Sequence, residues 1–481
     1  MKFNSTATIK TTNKSGHVAY SMNDKTKLIT QVTTSFFNEE KFYGDNTKDM
    51  VETIKRVVKN DPEFVSKLAV FARRVFNMRS VSHVLVGYLA NIPEGKPYVK
   101  KTAKGVVLRG DDVTEILSFY LNTFGKPLPN SLRKGLKEVF VNFDAYTLAK
   151  YKGEGHDVKM RDVLCLCRPH PKDDAQSAMW KKLLEGTLET PYTWESELSA
   201  KGNKKEVWEE LISSGRLPYM AALRNCRNVV TAQPDNLDDY LKFISDPKMV
   251  EKSKQLPFRF LSAYRTNAQA STKVLDALED AAEASIKNLP KLPGKTVIAI
   301  DTSGSMGSRL SKNSDVMCCD ISMLLGLIAS KICDDAVVYT FNTTIEQLAV
   351  SKRNGLLYTT MHQSCPGGGT NMSLPFQLLM NKHIKCDRII ILSDNECNSG
   401  YSWYSSKPVQ ALADEYRKAT GCDIWVHAID LQGYGTQQFH GSKTNIISGW
   451  SEKVFDFILM AERGISTLEK TIEEYTWGGD S

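Results

Sequence analysis

From about residue 24 to residue 290 apolar positions return at helical spacing. In 48–58, Met50, Val51, Ile54, Val57 and Val58 fall on one helical face. Asp61-Pro62-Glu63 opens the next helix, with Asp at the N-cap to accept free amide hydrogens and Pro at N1, where a missing N–H has no helical acceptor. Phe64, Val65, Leu68, Ala69, Ala72, Val75 and Phe76 continue it, and Asp246-Pro247 repeats the opening. The pattern predicts further helices over 111–123, 131–149, 173–185, 204–214, 218–230, 235–245, 257–265 and 271–288. Strand-like alternation is scarce. Helix after helix with short connections predicts an α-solenoid, in which each pair buries its face on the next. No strict period is visible, so this expectation rests on helix density. Residues 1–20, rich in Thr, Ser and Asn, predict an irregular or extended opening segment.

After Lys291-Leu292-Pro293-Gly294 the pattern changes. Thr296 to Ile300, Ala336 to Phe341, Arg388 to Leu392 and Ile424 to Ile429 are short apolar strands, and Met323 to Ile332 and 408–419 are helical. Apolar strands alternating with helices predict a parallel sheet covered on both faces, with ligands collecting at the carboxyl ends of its strands. The domains expected are therefore a helical one over 1–290 and an α/β one over 294–481.

At 481 residues, two or three domains of roughly 150 residues fit. No run of about 18 apolar residues offers a membrane span, and Met1 to Thr6 lacks the apolar stretch of a signal peptide. Ten cysteines without regular spacing read as reduced thiols, which points to the cytoplasm. Cys165-x-Cys167 has no second Cys/His pair at zinc spacing. Residues 1–290 hold 45 Lys+Arg against 35 Asp+Glu, and the remainder 17 against 20. A polyanion partner would meet the first part; a solvated basic surface has the same composition.

Asp301-Thr302-Ser303-Gly304-Ser305 stands at the end of the first apolar strand. Alternate residues place both hydroxyls on one side. Thr370 follows Gly367-Gly368-Gly369, and Asp394 ends the strand Ile389 to Ser393. All three loops leave one edge of the expected sheet. Hydroxyl and carboxylate oxygens are hard ligands suited to Mg²⁺ or Mn²⁺, with waters completing an octahedron. An isolated Asp-x-Ser-x-Ser usually marks a helix-capping turn. Joined by Gly-Gly-Gly-Thr and strand-Ser-Asp in this order, it resembles the metal-ion-dependent adhesion site of von Willebrand factor A domains over about 294–462. The resemblance implies direct ligation by Ser303, Ser305 and Thr370, with Asp301 and Asp394 supplying charge through water or hydroxyls. It also implies an open position for a partner's acidic group.

Three helical segments carry further information: Met160 to Leu166 leading into Arg168-Pro169-His170-Pro171-Lys172, Leu217 to Asn225 leading into Arg227-Asn228, and Leu256 to Phe260 leading to Tyr264-Arg265. With the opening Asn13-Lys14-Ser15-Gly16-His17-Val18-Ala19-Tyr20, this arrangement resembles the TROVE module of the Ro (Ro60-like) RNA-binding proteins. That family closes a ring of HEAT-like repeats with a von Willebrand A domain, so the resemblance implies a solenoid ring followed by a Rossmann-like α/β domain. It implies small structured Y-type RNAs on the outer surface and misfolded RNAs whose single-stranded ends enter the hole. Lys150-Tyr151-Lys152 looks like the family's basic RNA-contact segment, but continues Gly153-Glu154-Gly155 where the family offers another basic residue. Ungapped alignment puts Arg168 at a family His position, while His170-Pro171-Lys172 matches with a shift, and the alternatives stay open.

The candidate RNA contacts are Arg133, Lys134, Lys137, Lys150, Lys152, Arg161, Arg168, His170, Lys172, Arg224, Arg227, Arg259 and Arg265. Arg133, Lys134 and Lys137 have the spacing of a solvated face as well as of a phosphate contact. Arg224 and Arg227 share one helical face, with apolar neighbours on the other. Arg259 and Arg265 have the alternative of pairing with carboxylates inside the solenoid. Tyr151, Phe258 and Tyr264 are candidates for base stacking or for core packing. The expectation is a non-catalytic RNA-binding protein that scaffolds or sorts small and misfolded RNAs, with a nuclease or another protein on the A domain. The alternative is a metal-dependent protein–protein adaptor acting through the A domain. An enzyme is disfavoured, since no general base, Walker loop or nucleophile–His arrangement accompanies the Asp/Ser/Thr set; His362 alone is a weak catalytic argument.

Overall fold

The computed structural model describes residues 9–13, 16–34, 45–153, 156–189, 191–255, 257–287, 289–309, 316–350, 354–363, 365–398, 408–449, 453–464 and 468–478. Lys14, Ser15, Glu154, Gly155 and Leu256, used in the sequence reading, lie outside the described residues. The chain forms two compact units, one of residues 1–34 with 197–468 and the other of residues 35–196 with 469–481. Neither follows the change of pattern at residue 290: residues 1–34 and 197–290 group with the α/β part, and residues 469–481 with 35–196. No described helix is long and apolar enough to cross a membrane.

The first unit holds a six-stranded sheet. Its strands are β3 (Leu292–Asp301), β4 (Cys333–Phe341), β5 (Ile345–Leu348), β6 (Arg388–Ser393), β7 (Trp425–Asp430) and β9 (Thr444–Ser448). Their spatial order is β5-β4-β3-β6-β7-β9, with only β5 antiparallel. Val297, Ala299, Ile389, Ile391, Val426 and Ala428 face Phe376, Met372 and Tyr416 in one core. On the opposite face the Cys318–Ile332 helix lies so close to β3 that a Cβ at Gly326 would collide with Ile300. The order of the strands puts the carboxyl ends of β3, β6 and β7 side by side, as Ile300 pairs with Leu392 and Ser393 with Asp430. β5 and β9 were not read from the sequence.

The opening segment supplies β1 (Lys10–Thr12) and β2 (Val18–Ser21), which pair with each other and then with β8 (Thr436–Gln437). Asn13 Nδ2 donates to Cys397 O at 2.7 Å, and the Thr33 and Ser448 hydroxyls meet at 2.6 Å. The helices from Lys205–Ser213 to Thr272–Ser285 complete this unit. The expected 218–230 helix is two, Tyr219–Arg224 and Cys226–Ala232.

Among the described residues of the second unit every regular element is a helix. Asp61 caps Pro62–Arg74 by accepting from Phe64 N at 3.0 Å, as the Asp-Pro opening predicts. The expected 131–149 helix breaks into Asn130–Phe140 and Ala145–Lys150, because Asp144 caps the second by accepting from Thr147 N. After the Leu468–Glu474 helix, the chain's last described residues pack on Pro62–Arg74 and Val99–Val106: Trp477 Nε1 donates to Ser66 Oγ at 2.5 Å and Lys101 Nζ lies 3.4 Å from the Trp477 ring centroid.

One buried charge organises this unit. Asp112, fully buried near the start of Gly110–Phe124, accepts from Arg73 Nη2 (3.2 Å), Arg79 Nε (2.6 Å), Leu108 N (2.9 Å) and Arg109 N (2.9 Å), with His83 Nε2 at 3.1 Å. Burial pushes its carboxyl up, but the hydrogen bond and charge of His83 and the charges of Arg73 and Arg79 hold it far below the usual range. Removing one partner of such a group is costly, because the others stay buried and uncompensated. Asp112→Ala is expected to destabilise the protein by about 3–5 kcal/mol in urea unfolding. A depressed carboxyl contributes stability above its unfolded pKa, so wild type, and not the variant, loses this contribution as pH falls below about 4.

Candidate metal centre and basic surfaces

β3 is apolar from Val297 to Ile300, so Asp301 is its first carboxylate, and it is fully buried. Asp301 Oδ1 accepts from Ser303 N at 2.9 Å, which turns the chain, and Oδ2 accepts from Ser393 Oγ at 2.6 Å. The turn leaves the Ser303 and Ser305 hydroxyls 3.3 Å apart, Ser303 buried and Ser305 exposed. Gly304 N donates to Gly368 O (2.9 Å) and Gly367 N to Thr302 O (3.1 Å), so the glycine loop lies directly on the Asp-x-Ser-x-Ser loop. Gly367 and Gly368 adopt φ of 79° and 92°, a region that Cβ-bearing residues enter only at a cost. Asn342 Nδ2 steadies this loop by donating to Gly367 O at 2.8 Å.

Thr370 is buried and tied to the third loop by Thr370 N to Asn398 Oδ1 (2.6 Å) and Asn398 N to Thr370 O (3.0 Å). Its Oγ1 is buried without a hydrogen-bond partner among the described residues. Asp394, fully buried, accepts from Glu396 N at 3.2 Å through Oδ1. Burial, and then the charge of Asp394, push the Asp301 carboxyl up to about 7. Asp430, at the end of β7, is raised to about 7 by the same two causes, although Gln432 N and Gly433 N donate to its Oδ1. All five residues of the sequence-derived metal set therefore sit in three loops knitted together by hydrogen bonds. An unsatisfied buried hydroxyl, a close hydroxyl pair and crowded carboxyls fit a hard divalent cation. Ser393, Asn398, Asn342 and Asp430 were not read as site residues; their parts depend on cross-strand register and loop contacts. Among the described residues no group of three or more His, Cys, Asp or Glu side chains has the arrangement of a metal site. His362 is exposed and stacks on Tyr358, with ring centroids 4.0 Å apart.

The candidate RNA contacts divide between the two units. In the helical unit, Lys134, Arg161, Arg168 and His170 are exposed, and Arg168 caps Met160–Cys167 in the left-handed region at φ 49°. Arg133 reaches Asn130 Oδ1 (3.4 Å), Lys172 reaches Asn142 Oδ1 (3.0 Å), and Lys137 is half-buried. Lys152 Nζ donates to Leu188 O at 2.9 Å. Lys150 lies 3.9 Å from Glu195 and within 6 Å of the Tyr146 and Tyr151 ring centroids, at 5.8 and 5.7 Å. In the other unit Arg224, Arg227 and Arg259 are exposed, and Arg259 lies over the Phe258 ring at 4.9 Å. Desolvation by its neighbours, and then the like charge of Arg224, pull the Arg259 pKa down, so these two cations crowd one patch. Arg265 instead pairs with Asp320 at 2.7 Å and contacts Met361 Sδ; the carboxylate comes from the Cys318–Ile332 helix of the α/β part, and not from the solenoid as the sequence alternative had it. Phe258 and Tyr264 are core residues.

Residues 12–187 and 176–276 match the family model of the TROVE domain, and residues 295–431 that of the Ro60 vWA domain. Among curated proteins, telomerase protein component 1 of Rattus norvegicus is 27% identical over 309 residues, which is 44% of this chain and 12% of the relative. The RNA-binding protein RO60 of Caenorhabditis elegans is 26% identical over 249 residues, 48% of this chain and 38% of the relative. The matches thus span well under half the length of either relative. Among solved structures, the Deinococcus radiodurans RO (RSR) protein superposes with a TM-score of 0.61 at 16% identity, covering 92% of this chain and 100% of that one. This likeness shows the fold, and the expected fold class, helical repeats followed by a von Willebrand A domain, stands with it.

The crowded carboxyls make a prediction for protein held in chelator. An acid whose pKa is raised on folding keeps its proton while the unfolded chain loses it, so stability falls as pH rises from about 4 to 7 and then levels. Asp301→Asn is expected to flatten that decline and to stabilise the chelated protein at pH 8 by on the order of 2 kcal/mol. Thermal melts across this range check it; a variant less stable than wild type in chelator would show that the carboxylate is held by compensating contacts.

Proposed function

Because the chain belongs to the TROVE family, which includes the RNA-binding Ro proteins, we propose that it binds small structured RNAs of the Y type and misfolded RNAs with single-stranded ends, as a non-catalytic ribonucleoprotein component in cytoplasmic RNA quality control. The observation that carries this reading is the set of exposed arginines on TROVE-matched helices, Arg161, Arg168, Arg224, Arg227 and Arg259, for which no carboxylate partner is found among the described residues. Exposed arginines so placed are available to neutralise phosphates and release counterions. Lys150 beside Tyr146 and Tyr151 adds a cation next to aromatic faces, an arrangement that accepts stacked single-stranded bases.

The A domain supports a second, compatible activity. We assign Ser303, Ser305 and Thr370 as direct ligands of Mg²⁺ or Mn²⁺, with Asp301 and Asp394 holding the surrounding waters and hydroxyls. The bound cation would supply a positive centre for a carboxylate. Exposure of Ser305 beside buried Ser303 and Thr370 leaves one side of the site open to an acidic side chain of a protein partner, such as a nuclease. The chain's own residues fix the loops and exclude bulk water, and Thr370 Oγ1 awaits a ligand. This favours the adaptor reading as an addition to RNA binding.

Two measurements test these assignments. Mg²⁺ is expected to raise the melting temperature, since folded loops gather oxygens that the unfolded chain does not. Ser303→Ala with Ser305→Ala should abolish the rise; an unchanged rise in the double variant would refute the ligand set. For RNA, a duplex with a free single-stranded tail should bind more tightly than its blunt counterpart, because tail and helix contacts act in one molecule. Affinity should fall with salt at a log–log slope of roughly −0.7 per phosphate neutralised on single strands. Arg224→Ala with Arg227→Ala should weaken binding and flatten the slope, and wild-type behaviour across the salt series would make both arginines structural.

A further inference from the structure

In the helical unit one cleft is lined by Lys152, Lys159, Arg161, Leu183, Gly186 and Leu188. Three of the six are basic and none is acidic. Chain geometry brings them together: Met160 N donates to Lys152 O at 3.1 Å, which holds the Lys152 strand of chain against the start of the Met160–Cys167 helix. Lys152 Nζ uses one hydrogen on Leu188 O and keeps two others. Leu183 and Leu188 are buried apolar walls, exposed by only 5% and 8%. The nearby carboxylate of Asp162 is turned onto the backbone, accepting from Lys159 N at 2.8 Å. Three cations gathered in a cleft with apolar walls, with no ion pair found for Lys159 or Arg161 among the described residues, make an anion site.

Resting on the RNA-binding reading, we infer that this cleft takes the terminal phosphate monoester of a bound RNA. A monoester carries about −1.5 to −2 charge at pH 7 and three strong acceptor oxygens, which suits one guanidinium and two ammonium groups. An internal diester offers a single charge and two free oxygens, and its chain must leave the cleft as well as enter it. The site therefore distinguishes an RNA end from a run of backbone, which the exposed arginines elsewhere do not.

The test uses the full chain and one single-stranded RNA oligonucleotide in three forms: 5′-phosphate, 3′-phosphate, and hydroxyl at both ends. One phosphorylated form is expected to bind about tenfold more tightly than the hydroxyl form, a charge-assisted gain. Lys159→Gln, whose folding is checked by thermal melts, should remove most of that preference while changing hydroxyl-end affinity by less than about threefold, whereas Arg161→Gln should remove the preference and also lower hydroxyl-end affinity. Equal affinity for all three forms, or a preference that survives both substitutions, overturns the subsite and leaves RNA binding standing. Failure of every form to bind overturns both. Inorganic phosphate alone gives the last arm. If it raises the melting temperature through Lys159 and Arg161 while end phosphates bring no gain, the cleft takes free phosphate and the assignment to RNA ends is wrong.

Discussion

The α/β part of this chain depends on a conflict between an apolar sheet and the carboxylates at its end. β3, β6 and β7 are buried on both faces and mostly apolar, the buried Arg388 and His427 being paired with Glu462, and the carboxylates Asp301, Asp394 and Asp430 come only at the strand ends. Three acids then lie close together without solvent. Such an arrangement survives only where every loop around it contributes donors or where a cation does. Ser303 N, Ser393 Oγ, Glu396 N, Gln432 N and Gly433 N all donate to these acids. The left-handed glycines at 367 and 368 let a further loop approach as bare backbone. The loop geometry is the solution to a burial problem, and the candidate metal centre is what that solution leaves open.

The same physics explains what could be read from the residues. A strand of a two-faced parallel sheet carries an apolar run, so β3, β4, β6 and β7 announce themselves, and the Asp-x-Ser-x-Ser and Gly-Gly-Gly-Thr loops follow at fixed places. β9, Thr-Asn-Ile-Ile-Ser, alternates too little to stand out, yet it is buried because it closes the sheet beside β7. Asn398 and Asp430 were illegible for another reason: their parts are set by contacts between loops distant in sequence. In the helical region periodicity located the helices but ran through breaks where a side chain, such as Asp144, restarts the hydrogen-bond pattern.

Charge was the least legible property, because a basic residue's role depends on whether an acid has already claimed it. Arg73, Arg79 and His83 converge on Asp112, and Arg265 on Asp320; the arginines among these do not differ in sequence character from Arg224 or Arg161, which stay exposed. The excess of basic residues in 1–290 does not map onto one compact unit either. The unit of 35–196 and 469–481 has 27 Lys+Arg against 25 Asp+Glu, and the other has 35 against 30. Recognition of a polyanion here is a matter of local patches, such as Arg224 with Arg259, and not of net charge.

Both chain ends cross the boundary that the sequence pattern draws at residue 290. Residues 10–34 give β1 and β2 to a sheet completed by β8, and anchor through Asn13 to Cys397 O and Thr33 to Ser448. The last described residues place Tyr475 against Phe71, with ring centroids 5.1 Å apart, and Trp477 on Ser66 and Lys101. A cut at 290 would therefore strip the sheet of its opening strands and the helical unit of an aromatic cover at the same time. Each compact unit is assembled from segments on both sides of residue 290, so neither half of the chain holds a whole unit. That constraint ties the stability of the metal-binding edge to residues at the far end of the sequence, a coupling that composition and periodicity could not reveal.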